Sequence, residues 1–260
     1  MPNENSDVSE ALRALGFRTS REALAALFIH ATKSRMSPTE SVEQLIALER
    51  RERDARNLAR RTKLATLGSV PPRDGFDWAH PRKIEREMFE RLLEFDFVEA
   101  GHNVLHRGPS GVGKTTLAQT LGLEALKRGF TVRFSTLADV LGDLLRQESL
   151  PAMERRLRRY TRPDLLVLDE IGYLPCDSRA ADLLYNVITR RHQKRSTVIT
   201  TNLPFKQWGS IFPGAACVAA LVDRFTENCF VLDIEGDSWR QKPARPAAVS
   251  TATLKKTRPR

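Results

Sequence analysis

The stretch Gly108-Pro109-Ser110-Gly111-Val112-Gly113-Lys114-Thr115 decides how the rest of this chain is read. It fits the phosphate-binding pattern G-x-x-x-x-G-K-[ST] at every fixed position, and Thr116 follows it into a helical run. Residues 103–107 ahead of it read as a short strand. Glycines let the backbone turn tightly and approach phosphate oxygens with no Cβ in the way. Successive N–H groups then point into one concavity at a helix N-terminus, which carries about half a positive charge. In this reading Lys114 reaches the β- and γ-phosphates and the Thr115 hydroxyl is a ligand for Mg2+. The alternative is a Gly-rich turn that binds nothing; it leaves the Lys and the Thr at their fixed spacing unexplained.

A second motif lies some 55 residues on. Leu165-Leu166-Val167-Leu168-Asp169-Glu170 is four apolar strand residues ending in two carboxylates. Alone it reads equally as a buried strand ending in a solvated acidic turn. One intervening strand after a phosphate loop, it reads as Asp169 holding Mg2+ through its water shell and Glu170 polarising the attacking water. Asn202, closing the strand candidate 197–201, either orients water against the γ-phosphate or forms a turn ahead of Pro204. Arg224, at the end of an apolar helix, either serves a γ-phosphate or pairs at the surface with Asp223 or Glu227. Residue types leave that choice open.

Working outward, strand candidates at 103–107, 131–135, 165–169, 197–201 and 230–234 alternate with helical stretches at 114–128, 137–147, 178–194 and 214–226. Such alternation predicts an α/β fold with a parallel sheet covered on both faces, and ligands at the carboxyl ends of the strands. His106 and Arg107 are polar for a buried strand and are expected at its edge or toward solvent. Residues 84–97 read as one helix.

Ahead of this region the pattern is helical. Ser37-Pro38-Thr39-Glu40 reads as a capping box with proline in the first turn. The helix it opens runs into Arg50, Arg51, Arg53, Arg56, Arg60, Arg61 and Lys63, opposed only by Glu52 and Asp54. Arg53, Arg56, Arg60 and Lys63 share a face. The functional reading of Arg50, Arg53, Arg56, Arg60 and Lys63 is contact with DNA phosphates; the bland one is a solvated helix face. The net charge of +10 favours a polyanionic partner. Breakers at Gly68, Pro71, Pro72, Gly75 and Pro81 mark a linker. Within it, Phe76-Asp77-Trp78 either closes over a nucleotide base or, the favoured reading, staples the linker to the core. The expected division is a helical N-terminal domain at 1–67 that binds DNA or a partner, a linker at 68–82, an ATPase domain at 83–242 and a basic tail at 243–260. Cys176, Cys217 and Cys229 lack C-x-x-C spacing, which argues against a disulfide framework or a zinc site. No apolar run is long enough to span a membrane, and no signal-peptide pattern opens the chain, so a cytoplasmic protein is expected.

These motifs together resemble the AAA+ P-loop NTPases. More narrowly, the chain is similar to the IstB family of ATP-dependent helpers of insertion-sequence transposases and to its DnaC helicase-loader relatives. The residues that carry the resemblance are Gly108–Thr116, the run Asp169-Glu170-Ile171-Gly172-Tyr173-Leu174-Pro175, Arg190-Arg191, 196–205, Trp208, 221–224 and Gly236-Asp237-Ser238-Trp239-Arg240. The resemblance implies an AAA+ core with a five-stranded parallel sheet in the order 5-1-4-3-2 and no C-terminal lid. The count agrees, since only about 26 residues come after Ile234. It further implies ATP held by Gly108, Pro109, Ser110, Gly111, Val112, Gly113, Lys114, Thr115 and Thr116, and Mg2+ served by Thr115 and Asp169. Glu170 would be the catalytic base, Asn202 the first sensor, and Arg224 an arginine finger acting on a neighbouring subunit of a homo-oligomer. Arg240 would be a second nucleotide or interface contact. The implied activity is ATP-dependent assembly on duplex DNA, without marked sequence preference, and recruitment of a transposase. The nearest alternative is a DnaC-like helicase loader; a small-molecule P-loop kinase would not need the carboxylate pair with a sensor amide and an arginine from a second subunit.

Overall fold

The computed structural model describes residues 4–172 and 177–241. Cys176, the Tyr173-Leu174-Pro175 part of the acidic motif, and the basic tail at 243–260 lie outside the described residues. Three helices come first: α1 (Glu4–Ala14), α2 (Arg21–Lys33) and α3 (Pro38–Ala65). The capping box opens α3 as its residues require. The Ser37 amide donates to Glu40 Oε2 at 2.7 Å and the Glu40 amide to Ser37 Oγ at 3.2 Å, with Pro38 in the first turn. The connection between α1 and α2 is tied to α3 by one carboxylate. Glu49, 5% exposed, accepts from the Arg18 and Thr19 amides and the Thr19 hydroxyl at 2.8–2.9 Å, and from Arg53 at 3.1 Å. Burial pushes the Glu49 pKa up; these donors outweigh it and hold the group down at about 2.

The far end of α3 leaves the helical unit and docks on the α/β part of the chain. Ala65 at its end, and Leu67 beyond, are buried in a core with residues of the phosphate-loop helix. The turn needed for this falls at Thr66, in the left-handed region at φ 55°.

The expected helix over 84–97 does not form as one piece. Ile84 belongs to a two-residue strand, β1 (Lys83–Ile84), and the helical part divides into α4 (Arg86–Leu92) and α5 (Asp96–Glu99). Leu92, Leu93, Phe95, Phe97 and Val98 are all buried, more apolar surface than one face of a straight helix can hide. Phe95 breaks the run at φ 69° and redirects the chain, so that both pieces bury their side chains.

The remainder runs β2 (Asn103–Arg107), α6 (Lys114–Arg128), β3 (Val132–Thr136), α7 (Leu137–Leu145), α8 (Leu150–Thr161), β4 (Leu165–Ile171), α9 (Ser178–Arg191), β5 (Ser196–Thr201), α10 (Trp208–Ile211), α11 (Val218–Thr226) and β6 (Cys229–Glu235). The sheet order is β1-β6-β2-β5-β4-β3. Its five parallel strands reproduce the order 5-1-4-3-2; the sixth, β1, is a correction, pairing antiparallel to β6 at the edge through Ile84 and Ile234. One core packs α7, α8, α9, α10 and α11 on one face, and a second packs α4, α5, α6 and the end of α3 on the other. Strand order reverses direction at β2, which places a crevice at its carboxyl end. The helix α8 falls in a stretch for which the sequence pattern predicts no element.

The polar strand residues also correct an expectation. His106 is fully buried, its Nδ1 3.3 Å from the Lys114 carbonyl oxygen, and burial pushes its pKa down to about 4. Arg107 donates to both carboxylate oxygens of Asp233, its register partner on β6, at 2.6 Å. Neither side chain extends free into solvent. Among the described residues no helix is long and apolar enough to cross a membrane.

Candidate nucleotide-binding site

The loop 108–113 leaves the carboxyl end of β2 and enters α6. Gly111 and Gly113 adopt φ 80° and 97°, which an L side chain resists. Close approach adds a second requirement. A Cβ on Gly108 would stand 2.1 Å from the Ile234 carbonyl oxygen, and one on Gly113 2.5 Å from the Phe76 ring.

Lys114 is 6% exposed. Its ammonium donates to the carbonyls of Gly108 at 2.8 Å and Pro109 at 2.6 Å, bridging the loop. Burial, opposed by Asp169 and reinforced by Arg240, holds its pKa below the ordinary lysine value. A buried ammonium with only two carbonyl acceptors for three donors suits an incoming anion.

The carboxylates come from β4, beside the loop in space. Thr115 Oγ1 lies 3.0 Å from both Asp169 oxygens. Thr200 Oγ1, on the neighbouring strand β5, donates to Asp169 Oδ1 and accepts from the Glu170 amide at 3.0 Å. A hydroxyl and a carboxylate converging on one spot form the hard-oxygen donor set that Mg2+ prefers, so the residues fit that ion. Glu170 sits at φ 63°, where the β4–β5 register shifts between Leu168 and Ile171, and its side chain is exposed. A non-glycine residue there costs about 1–3 kcal/mol. Asp169 stays in strand register and points inward with Leu165 and Val167, and the left-handed turn after it leaves the adjacent carboxylate at the cavity edge.

A cavity of about 350 Å3 opens over the loop. Residues 110–116, Glu170, Thr200 and Arg240 line one part of it, and Pro71, Phe76, Asp77, His80 and Trp239 the other. Both linker aromatics pack against the core, Trp78 on Phe89 at 5.5 Å between centroids, and Phe76 also lines the cavity. The segment 236–241 straps across the loop. The Trp239 amide donates to the Gly111 carbonyl at 2.9 Å, His80 Nε2 lies 2.9 Å from the Asp237 carbonyl oxygen, and the His80 and Trp239 rings meet edge to face at 4.7 Å.

The other expected residues stand away from the loop. Asn202 is exposed at the end of β5, its Oδ1 3.1 Å from where a Gly172 Cβ would be, and does not line the cavity. Arg224 is half-buried in the last turn of α11. It donates to Thr189 Oγ1 and lies over the Tyr185 ring at 4.8 Å. Glu227, one surface partner weighed for it, bonds His192 and Gln193 at 2.9 Å instead. α11 ends where β6 begins, whereas Gly108 abuts Ile234 near the other end of β6, so Arg224 and the loop of the same chain are about 20 Å apart along the strand. On α3, Arg53 and Arg56 lie 3.1 Å and 3.6 Å from Glu49. Arg50, Arg60 and Lys63 are exposed and their side chains make no hydrogen bond or ion pair among the described residues. Sequence reasoning missed Thr200, because a threonine in a β-branched strand carries no signal until the neighbouring strand is known. It also missed His80, which chain folding brings to Trp239.

Comparison with known proteins bears on the family and the fold. The sequence profile of the IstB-like ATP binding protein family matches residues 10–247. A protein of insertion sequence IS232 from Bacillus thuringiensis, ascribed ATP binding, is 36% identical over 77% of this chain and 82% of its own. One of insertion sequence IS21 from Pseudomonas aeruginosa, described in the same way, is 34% identical over 87% of this chain and 85% of its own. Among solved structures, DnaI superimposes with a TM-score of 0.54 at 19% identity, over 65% of this chain and 92% of that one, a likeness of fold.

Proposed function

The chain belongs to the IstB-like ATP binding protein family and has the AAA+ P-loop fold, and from this we propose that it is a Mg2+-dependent ATPase that assembles on duplex DNA and recruits or regulates a transposase. The observation that carries the reading is the convergence of Lys114, Thr115 and Glu170 on one loop-lined cavity, with buried Asp169 3.0 Å from the Thr115 hydroxyl behind them. The loop amides and Lys114 bind the β- and γ-phosphates. Thr115 and Asp169 would hold the Mg2+ that the triphosphate brings, which neutralises charge on the β- and γ-oxygens. Glu170 accepts a proton from the water that attacks the γ-phosphorus, and ADP and phosphate leave. Arg224 acts on the nucleotide of a second copy, since its own loop lies a strand's length away, so ATP promotes assembly. Net charge, together with the free Arg50, Arg60 and Lys63, supports duplex contact through phosphates. The insertion-sequence relatives support the transposase partner, and the reading places the protein in the cytoplasm.

The test is sedimentation of the full chain with random-sequence duplex DNA, with and without ATP, alongside Lys114→Ala. The expected outcome is ATP-dependent assembly that the variant loses. No duplex binding in either state would replace this reading with that of a helicase loader. Glu170→Gln is expected to bind ATP and hold the assembled form; normal turnover by that variant would remove Glu170 as the base.

A further inference from the structure

The helix α8 carries Arg155, Arg158 and Arg159, and Arg162 lies just beyond it; their spacing of i, i+3, i+4 and i+7 puts all four on one face. The opposite face is Leu157 and Tyr160, both buried against the sheet core. Arg158, Arg159 and Arg162 form one wall of a cleft of about 500 Å3. Arg61, from the last turns of α3, and Arg133, on the edge strand β3, also line it. No carboxylate and no aromatic ring is among the lining residues.

The carboxylates nearby are shared with partners outside the cleft. Glu154 holds Arg190 at 2.8 Å and stands 3.7 Å from Arg158; Asp143 accepts from the Tyr160 hydroxyl at 2.7 Å and stands 3.8 Å from Arg159. Arg162 is exposed and its side chain makes no hydrogen bond or ion pair among the described residues. Arg61 donates to the Leu126 carbonyl at 3.0 Å and Arg133 to the Leu64 carbonyl at 3.2 Å, yet the Nε of each is buried without an acceptor. Burial and the Arg159 charge together hold the Arg133 pKa below its ordinary value. Two carboxylates at the rim, both shared with other partners, only partly offset five guanidinium groups, which repel one another unless a further anion joins them, and guanidinium geometry matches phosphate oxygens.

We propose that this cleft binds backbone phosphates of duplex DNA, as a second contact surface on the ATPase core that continues through Arg61 to the free Arg60 and Lys63 of α3. The proposal rests on the duplex-binding reading above. Sites for single strands stack bases on aromatic rings, and this lining offers none, whereas duplex phosphates need only cations. The same Arg61 and Arg133 bonds brace α3 to the core, so both walls of the cleft are held in fixed relation.

The experiment measures binding of the full chain to a random-sequence duplex, with ATP, by fluorescence anisotropy over a range of salt. Arg158→Ala/Arg162→Ala changes two exposed residues outside the ATP site. It is expected to weaken binding alike for unrelated sequences and to reduce the log–log salt slope by about 2. Binding of a fluorescent ATP analogue should be unchanged, and Arg158→Lys/Arg162→Lys should restore most of the slope. An unchanged affinity and slope in the alanine variant, while Arg60→Ala/Lys63→Ala loses binding, would overturn the cleft and leave the duplex reading standing. A wild-type chain that binds no duplex would overturn both. Loss confined to single-stranded DNA would overturn the assignment of duplex as the ligand.

Discussion

At the scale of single residues, the site depends on hydroxyls and backbone strain as much as on charge. Thr200 ties Asp169 and the Glu170 amide together from the neighbouring strand. Thr200→Val keeps the shape and removes both bonds. It is expected to lower kcat about 10–100-fold, as loss of a ligand-orienting partner does, with ATP affinity little changed; steady-state turnover beside nucleotide titration separates the two. Gly111→Ala would place a Cβ 2.0 Å from Ser238 Oγ at a φ of +80°, so it is expected to displace the strap and weaken nucleotide binding, measured by the same titration. That Lys114, Thr115, Asp169 and Glu170 lie together was legible from the sequence, because their spacing sets them at the ends of strands in one sheet. Thr200 was not, because its role depends on which strand lies beside β4.

At the scale of elements, α3 is the member that joins the two parts of the chain. Its capped start was readable from Ser37, Pro38 and Glu40. Its far end was not, since nothing local announces that Ala65 and Leu67 will be buried beneath the phosphate-loop helix. The Glu49 knot fixes α3 to the preceding helices. Glu49→Ala leaves the Arg18 and Thr19 donors without their acceptor and is expected to loosen α1 and α2 while ATP binding persists. Limited proteolysis before residue 37, set against nucleotide titration, checks this. The strand β1 and the break at Phe95 were equally hidden: a two-residue pairing and one left-handed residue have no periodic signature.

At the scale of the whole molecule, the proposed sharing of the site between copies and the pH response both depend on placement. Because Arg224 lies a strand's length from its own loop, a mixture of Arg224→Ala and Lys114→Ala chains is expected to recover part of the ATPase activity that each lacks alone. One supplies a competent loop and the other the arginine; an inactive mixture would count against the shared site. His106 gives the fold its own acid sensitivity. Its folded pKa of about 4 lies below the unfolded value near 6.5, so the unfolded chain binds the extra proton between them. That stabilisation is complete above pH 6.5 and is lost as pH falls toward 4, up to about 3 kcal/mol. Glu49, held at about 2, loses its own contribution only below about 4.5. Urea unfolding at pH 7 and pH 5 should therefore differ in the wild type and differ less in His106→Gln.

The sequence by itself determined the phosphate loop, the carboxylate pair, the helix caps and the alternation that makes a parallel α/β sheet. Each of these is a local pattern, and its physics acts within a few residues. Tertiary structure alone decided that Thr200 orients Asp169, that His80 meets Trp239 over the loop, that Arg107 is matched by Asp233, and that arginines from α3, β3 and α8 line one cleft. Those contacts join residues far apart in the chain, and only the packing of the sheet and its helices sets which of them meet.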